Sequence, residues 1–353
     1  MDTILLKDNE KFYDKTYINC AFDTLINVVG DDCVLENVLI ASPKKDFKCF
    51  IKVSGKNCRI KNCRFESLSV KGTVIMANES CIIENCLFLN GLTTREETGS
   101  EAIKVNKNEC VIINNRFENW DRTINIVSMK SDNNIFVNNH IINCAGTVSI
   151  SGQNNLVAFN KIDGKLKHES GGFKVNGNGH YVKCNLIKDC RGNDIRASIH
   201  LNNATDCILH HNIMVNCEEG FSLLPNLMPI NTTFVHNTMC KVKYPLASDI
   251  ECEIPFSIGK KYNDNLPKFN VKKFSVMWDE IKNALMEVHE SDYESEDEEM
   301  VQVAIDTQLE DRLLKKLLIS QKLEKMIEIQ KSIKKTLDDF QKLNIELKKV
   351  IDS

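Results

Sequence analysis

Two polar side chains in the middle of the chain have types and spacing that could serve acid–base chemistry. Lys174 and His200 are each the middle residue of an apolar-x-apolar triplet, at 173–175 and 199–201. Side chains alternate between the faces of a β-strand, so the middle residue of each triplet points away from the core. On neighbouring strands about 4.8 Å apart, the amine and the imidazole would stand side by side as two potential bases.

Similar triplets recur along the chain and define an outward column of mostly polar residues. Two long polar loops, 90–101 and 164–172, enter this face and could wall a groove. Exposed strand faces also carry such residues simply because they meet water. The column members are Asn27, Lys52, Ile75, Lys104, Asn125, Ser149, Lys174, His200 and Ser222. The predicted substrate-binding residues are Lys104, Asn125 and Ser149 of the column, Asn176 and Asn202 two residues beyond the pair, and Arg196 just before His200.

The elements that position this column form a repeat of about one solenoid turn. Equivalent positions recur at intervals of 21 to 29 residues, in short β-branched segments separated by Asn, Gly and Cys. No helical period is present. The copies read CVLENVLI at 33–40, CRIKNCRF at 58–65, CIIENCLF at 81–88, CVIINNRF at 110–117, NIFVNNHI at 134–141, NLVAFNKI at 155–162 and CILHHNIM at 207–214, with weaker copies around Asn185 and Asn237. We predict an all-β, right-handed parallel β-helix of about nine coils over 1–245.

The inward positions of the repeat have a structural explanation. Asn, Cys, Ile and Phe recur at the same place in successive coils, so they would stack in columns along the axis. Stacked Asn amides can hydrogen bond to one another and to the backbone of the bends. We therefore interpret these columns as core and not as metal or redox sites.

The segment 169–192, ESGGFKVNGNGHYVKCNLIKDCRG, resembles the β-helical lyases of polysaccharide lyase family 6, such as chondroitinase B and alginate lyase. In that family a Glu precedes the catalytic Lys by five positions, and a catalytic Arg follows about a coil later. Glu169 and Lys174 match this spacing. Two positions differ from the family pattern: Lys167 stands where a second calcium-binding Glu is expected, and His200 stands where the Arg is expected.

The resemblance implies β-elimination on a uronic-acid polymer. A cation would neutralise the carboxylate, a base would remove the proton from carbon 5, and an acid would protonate the leaving oxygen. It implies Lys174 as the base, with His200 as proton donor or carboxylate partner. Calcium, if bound, would be held by Glu169 with Asn155 or Asp163. The outward column contains no Asp or Glu, which argues against a hydrolase with paired carboxylates.

The C-terminal third changes character after the last repeat. Pro245, Pro255 and Pro267 punctuate 246–289, where 274–289 has the spacing of an amphipathic capping helix. An acidic linker follows at 290–300. From 301 to 353 the sequence predicts one long helix with partial heptads, and hence an α-helical coiled coil that joins this chain into a homo-oligomer or to another protein.

Composition limits the partners and the compartment. A net charge of −4 argues against a nucleic-acid binder. The N-terminal residues carry no signal-peptide pattern, and no apolar stretch is long enough to span a membrane. The 15 cysteines recur at repeat positions and not in CxxC pairs, so we expect a reducing compartment such as the cytoplasm.

Three functions fit the sequence. The first is a non-catalytic β-helical protein that binds carbohydrate or a partner and is oligomerised by its C-terminal helix. The alternative is a polysaccharide lyase acting through Lys174. In the third, the coiled coil performs the function and the rod is only a spacer. We favour the first, because a reducing compartment agrees poorly with an extracellular polymer as substrate.

Overall fold

The computed structural model describes residues 3–68, 72–91, 101–121, 124–223, 229–248 and 257–258. The chain divides into two compact units, Met1–Lys272 and Lys273–Ser353, and every described residue belongs to the first. The predicted capping helix, acidic linker and coiled coil lie outside the described residues.

The described residues form a parallel β-solenoid of three sheets, which confirms the predicted all-β architecture. Sheet A, the longest-stranded of the three, has eleven strands and carries the outward column. Each strand pairs in parallel with its counterpart in the next coil. The strands of sheet A are β1 (Ile4–Leu6), β4 (Thr24–Val28), β7 (Cys49–Val53), β10 (Thr73–Ala77), β13 (Ile103–Val105), β16 (Asn125–Lys130), β19 (Gly146–Ser151), β22 (Ser170–Asn178), β25 (Ile199–Thr205), β28 (Glu219–Leu223) and β31 (Tyr244–Ser248).

Sheets B and C consist almost entirely of three-residue strands. Those of sheet B are β2 (Lys11–Tyr13), β5 (Val34–Glu36), β8 (Arg59–Lys61), β11 (Ile82–Glu84), β14 (Val111–Ile113), β17 (Ile135–Val137), β20 (Leu156–Ala158), β23 (Tyr181–Lys183), β26 (Ile208–His210) and β29 (Thr233–Val235). Those of sheet C are β3 (Thr16–Ile18), β6 (Leu39–Ala41), β9 (Arg64–Leu68), β12 (Leu87–Gly91), β15 (Arg116–Glu118), β18 (His140–Ile142), β21 (Lys161–Asp163), β24 (Leu186–Lys188), β27 (Ile213–Val215), β30 (Thr238–Cys240) and β32 (Ser257–Ile258).

The polar pair of each repeat makes the bend between sheets B and C. Its first residue has a positive φ, as at Asn114 (57°) and Asn138 (53°), a conformation that asparagine tolerates better than most residues. Its second residue turns inward. Each three-residue strand is thus followed by one left-handed residue and one inward residue. This order explains why short apolar triplets alternate with polar pairs along the sequence.

The inward residues form the predicted asparagine ladder. Asn139, for example, accepts hydrogen bonds at Oδ1 from the backbone and the side-chain amide of Asn115, at 3.0 and 3.1 Å. Its own Nδ2 donates to the carbonyl of Ile112 at 3.0 Å. The ladder satisfies backbone groups that the bend leaves unpaired inside the core. Its members are Asn115, Asn139, Asn160, Asn185, Asn212 and Asn237, all buried.

Apolar residues fill the rest of the interior. Phe65, Phe88 and Phe117 stack on successive coils, with ring centroids 5.0 and 4.8 Å apart. The described residues contain no disulfide bond, so the cysteines at repeat positions act as small core side chains. No helix in the described part of the chain is long and apolar enough to cross a membrane.

Candidate functional site on the outer face of sheet A

The structure brings Lys174 and His200 together as predicted. Strands β22 and β25 pair in parallel, with Phe173 opposite Ile199 and Lys174 opposite His200. The flanking apolar residues are fully buried, and this fixes the two polar side chains on the outer face. Lys174 is half-buried, so its amine can reach a ligand lying across the sheet.

His200 differs from Lys174 because it is completely buried although it faces outward. A single 3₁₀ turn, η1 (Asp194–Arg196), lies close to β22, β25 and β28. Nδ1 of His200 lies 3.3 Å from the hydroxyl of Ser222 in the next coil. Nε2 is also buried and has no hydrogen-bond partner among the described residues.

Burial and the neighbouring charge of Lys174 lower the pKa of His200, and only Asp194 opposes them. Both causes disfavour the charged imidazolium. His200 is therefore neutral at neutral pH and carries one ring proton. In this arrangement the imidazole can hydrogen bond within the protein, but its complete burial keeps a polymer from reaching it.

The buried histidine should make stability depend on pH. Below about pH 6.5, the ordinary pKa of histidine, the unfolded chain binds more protons than the folded one, so the free energy of unfolding falls as pH falls. We expect the urea midpoint to drop between about pH 7.5 and 5.5, and to drop less in His200→Gln. His236→Gln, at an exposed histidine, is the matched control. An equal drop in wild type and His200→Gln would contradict the prediction.

Asn176 and Asn202 lie beside the pair, at a bulge in the sheet. The register between β22 and β25 shifts after Val175, where Gly177 pairs with Ala204. Oδ1 of Asn202 is buried and has no partner among the described residues. Two buried polar atoms without a partner, Oδ1 of Asn202 and Nε2 of His200, thus lie on the strand next to Lys174.

The structure corrects two members of the outward column. A register shift between Asn125 and Val127 puts Ser128 opposite Ser149, while Asn125 pairs with Thr147. Asn125 is therefore not in the column, and its predicted role as a column residue was wrong. Ser128 is buried, and its hydroxyl has no partner among the described residues. The triplet 127–129 carries the same apolar-x-apolar signal and could have identified it.

The second correction concerns Ile75, the column member predicted for the coil after that of Lys52. Met76 pairs with Lys52 and with Lys104, whereas Ile75 is fully buried in the core. Three consecutive apolar residues, 74–76, left the alternation ambiguous in the sequence. Lys104, Ser149 and Lys174 do occupy the column: Lys104 is opposite Ser128, and Ser149 is opposite Lys174.

Arg196 also lies at the site, through an ion pair that the sequence did not predict. Its Nη1 is 2.7 Å from Oε1 of Glu169, the residue directly before β22. The ion pair links the loop 164–169 to η1. Nε of Arg196 is buried and has no partner among the described residues, so the guanidinium keeps a donor free.

The three predicted calcium ligands do not come together. Asn155 belongs to a buried ladder in which its Nδ2 donates to Ser131 and Ser151 carbonyls, at 3.0 and 3.1 Å. Its backbone N–H donates to Nδ1 of His180. Glu169 directly precedes β22, whereas His180 lies just after the other end of that strand. The nine residues of β22 separate these two ends by about 30 Å.

Asp163 forms ion pairs with two lysines and does not join Glu169 in a shared metal site. Its carboxylate is 3.2 Å from Nζ of Lys165 and 3.4 Å from Nζ of Lys188. Across the described residues, no group of three or more His, Cys, Asp or Glu side chains is arranged to hold a metal ion. The residues present therefore do not fit the calcium site that the resemblance implied.

The fold and this face define a class: β-solenoid proteins of the polysaccharide lyase type. A family model described as Chondroitinase B matches residues 27–330, and the chain belongs to that family. The chain is similar in fold to two solved lyases. A mannuronic acid specific polysaccharide family 6 lyase from human gut microbiota is 17% identical with a TM-score of 0.55, over 73% of this chain and 68% of the other. An alginate lyase solved as a complex is 16% identical with a TM-score of 0.53, over 76% and 85%. No curated protein matches the chain.

Proposed function

We propose that this protein is a polysaccharide lyase that cleaves a uronic-acid polymer on the outer face of sheet A. The observation that carries the proposal is the register of Lys174 with His200, on the outer face of a chain that belongs to the Chondroitinase B family. Family membership favours this function over the non-catalytic structural protein that the composition and compartment suggested.

In the proposed reaction Lys174 is the base. Its unprotonated amine takes the proton from carbon 5, the electron pair of that bond forms the double bond between carbons 4 and 5, and the bond from carbon 4 to the glycosidic oxygen breaks. The leaving oxygen then takes up a proton. Because Lys174 has just gained one, it can return that proton if the two groups lie on the same face of the sugar. His200 is completely buried and is therefore not placed to act as the donor.

Binding without cleavage is the second candidate. It is favoured by the pairing of Glu169 with Arg196, since the carboxylate that the resemblance assigns to calcium is already neutralised within the protein. In that case Lys174 and Arg196, the two cationic side chains of the site, would hold an acidic polymer without turning it over. The C-terminal coiled coil and homo-oligomer remain predictions under either function.

The test is to incubate the full chain with alginate, chondroitin, dermatan and pectate and to follow the ultraviolet absorbance of the new double bond. We expect absorbance to rise with at least one of these polymers. A flat trace with all four, from protein that circular dichroism shows to be folded, would reject the lyase. Retarded migration in gels that contain the same polymers would then support the binding function.

A further inference from the structure

We infer that Arg196 stands in place of a calcium ion at this site, so that the protein engages its polymer without a divalent cation. The inference rests on the proposed function for the identity of the ligand. In this interpretation the guanidinium of Arg196 occupies the carboxylate of Glu169 in place of a metal ion. Three features of the site support it.

The first feature is the charge arrangement of the loop before β22. Glu169 contacts the guanidinium of Arg196 at 2.7 Å. Lys167 occupies the position where the resemblance expects a second carboxylate, and its Nζ pairs with Asp121 and donates to the carbonyl of Asn143 at 3.1 Å. A divalent cation would therefore meet a neutralised carboxylate and an ammonium group where it needs two anionic oxygen ligands.

The second feature is that the backbone around Arg196 is built into the fold. A Cβ added to Gly171 would lie 2.5 Å from the carbonyl oxygen of Arg196, and one added to Gly192 would lie 2.4 Å from it. A Cβ at Gly172 would lie 2.0 Å from the carbonyl oxygen of Ser198. These three glycines let the backbone of 196–198 approach Gly192 and the start of β22 closely, which places the backbone of Arg196 near Glu169.

The third feature is the donor that remains on Arg196. The ion pair uses Nη1, while Nε is buried and has no partner among the described residues. The side chain keeps 21% of its surface exposed. Arginine offers five N–H donors in a planar fork, so donors other than the paired Nη1 and the buried Nε can meet a carboxylate or hydroxyl of the polymer. A calcium ion would likewise bind Glu169 and the polymer at the same time, through different positions of its coordination shell.

The primary test is calorimetric titration of the metal-free full chain with calcium, which needs no activity. Calcium should give no heat of stoichiometric binding at up to about 1 mM, a range that covers most specific calcium sites. Stoichiometric binding by the wild type that disappears in Glu169→Gln would overturn the inference, whether or not any polymer is cleaved. No such binding supports it.

A second measurement follows the polymer, by cleavage if the protein is a lyase and by gel retardation if it only binds. Chelator should leave the wild-type result unchanged, and Arg196→Ala should weaken it by about tenfold or more, since a charge-assisted contact is lost. Arg196→Lys should keep part of the effect. Arg116→Ala is the matched control, because Arg116 pairs with Glu118 at 2.8 Å on sheet C.

The outcomes separate the two proposals. Cleavage or binding that chelator abolishes and calcium restores would overturn the role of Arg196 and leave the lyase or binding function standing. If no polymer is cleaved or bound under any condition, the proposed function fails, and the calcium titration alone decides whether Glu169 is a metal ligand. An Arg196→Ala chain that has lost its fold by circular dichroism is replaced by Arg196→Gln in the same measurements.

Discussion

Replacing Lys174 by alanine is expected to lower the rate of polymer cleavage by at least about 100-fold, the lower range for loss of a general base. The side chain is half-buried on the outer face, and the core residues beside it do not change, so the fold should survive. The measurement is the initial rate of double-bond absorbance, with circular dichroism and the urea midpoint to verify folding.

The chain offers a matched control in the same column. Lys52 is also a half-buried lysine on the outer face of sheet A, but it lies five coils away, opposite Asn27 and Met76. Lys52→Ala should retain the wild-type rate within about twofold, because surface substitutions away from a site have small effects. An unchanged rate in Lys174→Ala would remove Lys174 as the base. A loss of equal size in both variants would point to a general electrostatic effect of the column.

The second large effect is expected in the core, where Asn185→Ala should lower the free energy of unfolding by about 3 kcal/mol. Nδ2 of Asn185 donates to the carbonyl of Val157 and to Oδ1 of Asn212, both at 2.9 Å. Its Oδ1 accepts from the backbone and side-chain amides of Asn160, at 3.0 and 2.9 Å. Alanine would leave these groups buried and unpaired, each at a cost of about 1–3 kcal/mol that local rearrangement partly relieves.

Equilibrium urea unfolding of the full chain measures this loss. The control comes from a second, outer ladder, in which the left-handed Asn of one coil bonds to its counterpart in the next, as Asn138 does to Asn114. Asn138→Gly is suitable because glycine adopts the φ of 53° at this position without strain. That variant loses one partly buried hydrogen bond, from Nδ2 to Asn114, and should cost about 1 kcal/mol. Equal losses in the two variants would mean that the inner ladder contributes no more than the outer one.

Much of the site could be predicted because, in a regular strand, the position of a residue in the sequence determines the face on which its side chain lies. The triplets 173–175 and 199–201 are extended and in phase, so Lys174 and His200 meet as expected. Prediction failed where the strand departs from simple alternation. At Asn125 the register shift moves the next residues by one position, and a shift of one residue reverses the face on which each side chain lies.

The predicted metal site failed for a different reason. Glu169 and Asn155 are close in sequence, but Glu169 lies at the start of β22 and Asn155 contacts His180, beyond the other end of that strand. Arg196, by contrast, is 27 positions after Glu169 and touches it, because one coil returns the chain to the same side. Proximity in a solenoid follows the repeat length and not sequence distance.

The sequence by itself determined the coil, the inner ladders and most of the outward column, because these depend on a two-residue alternation within strands and on stacking at a fixed repeat. The tertiary structure decided which polar atoms are available. His200 is completely buried, and Glu169 is paired with Arg196 from the next coil. Burial and ion pairing depend on how loops of neighbouring coils lie over the sheet, and that arrangement has no periodic signal in the sequence.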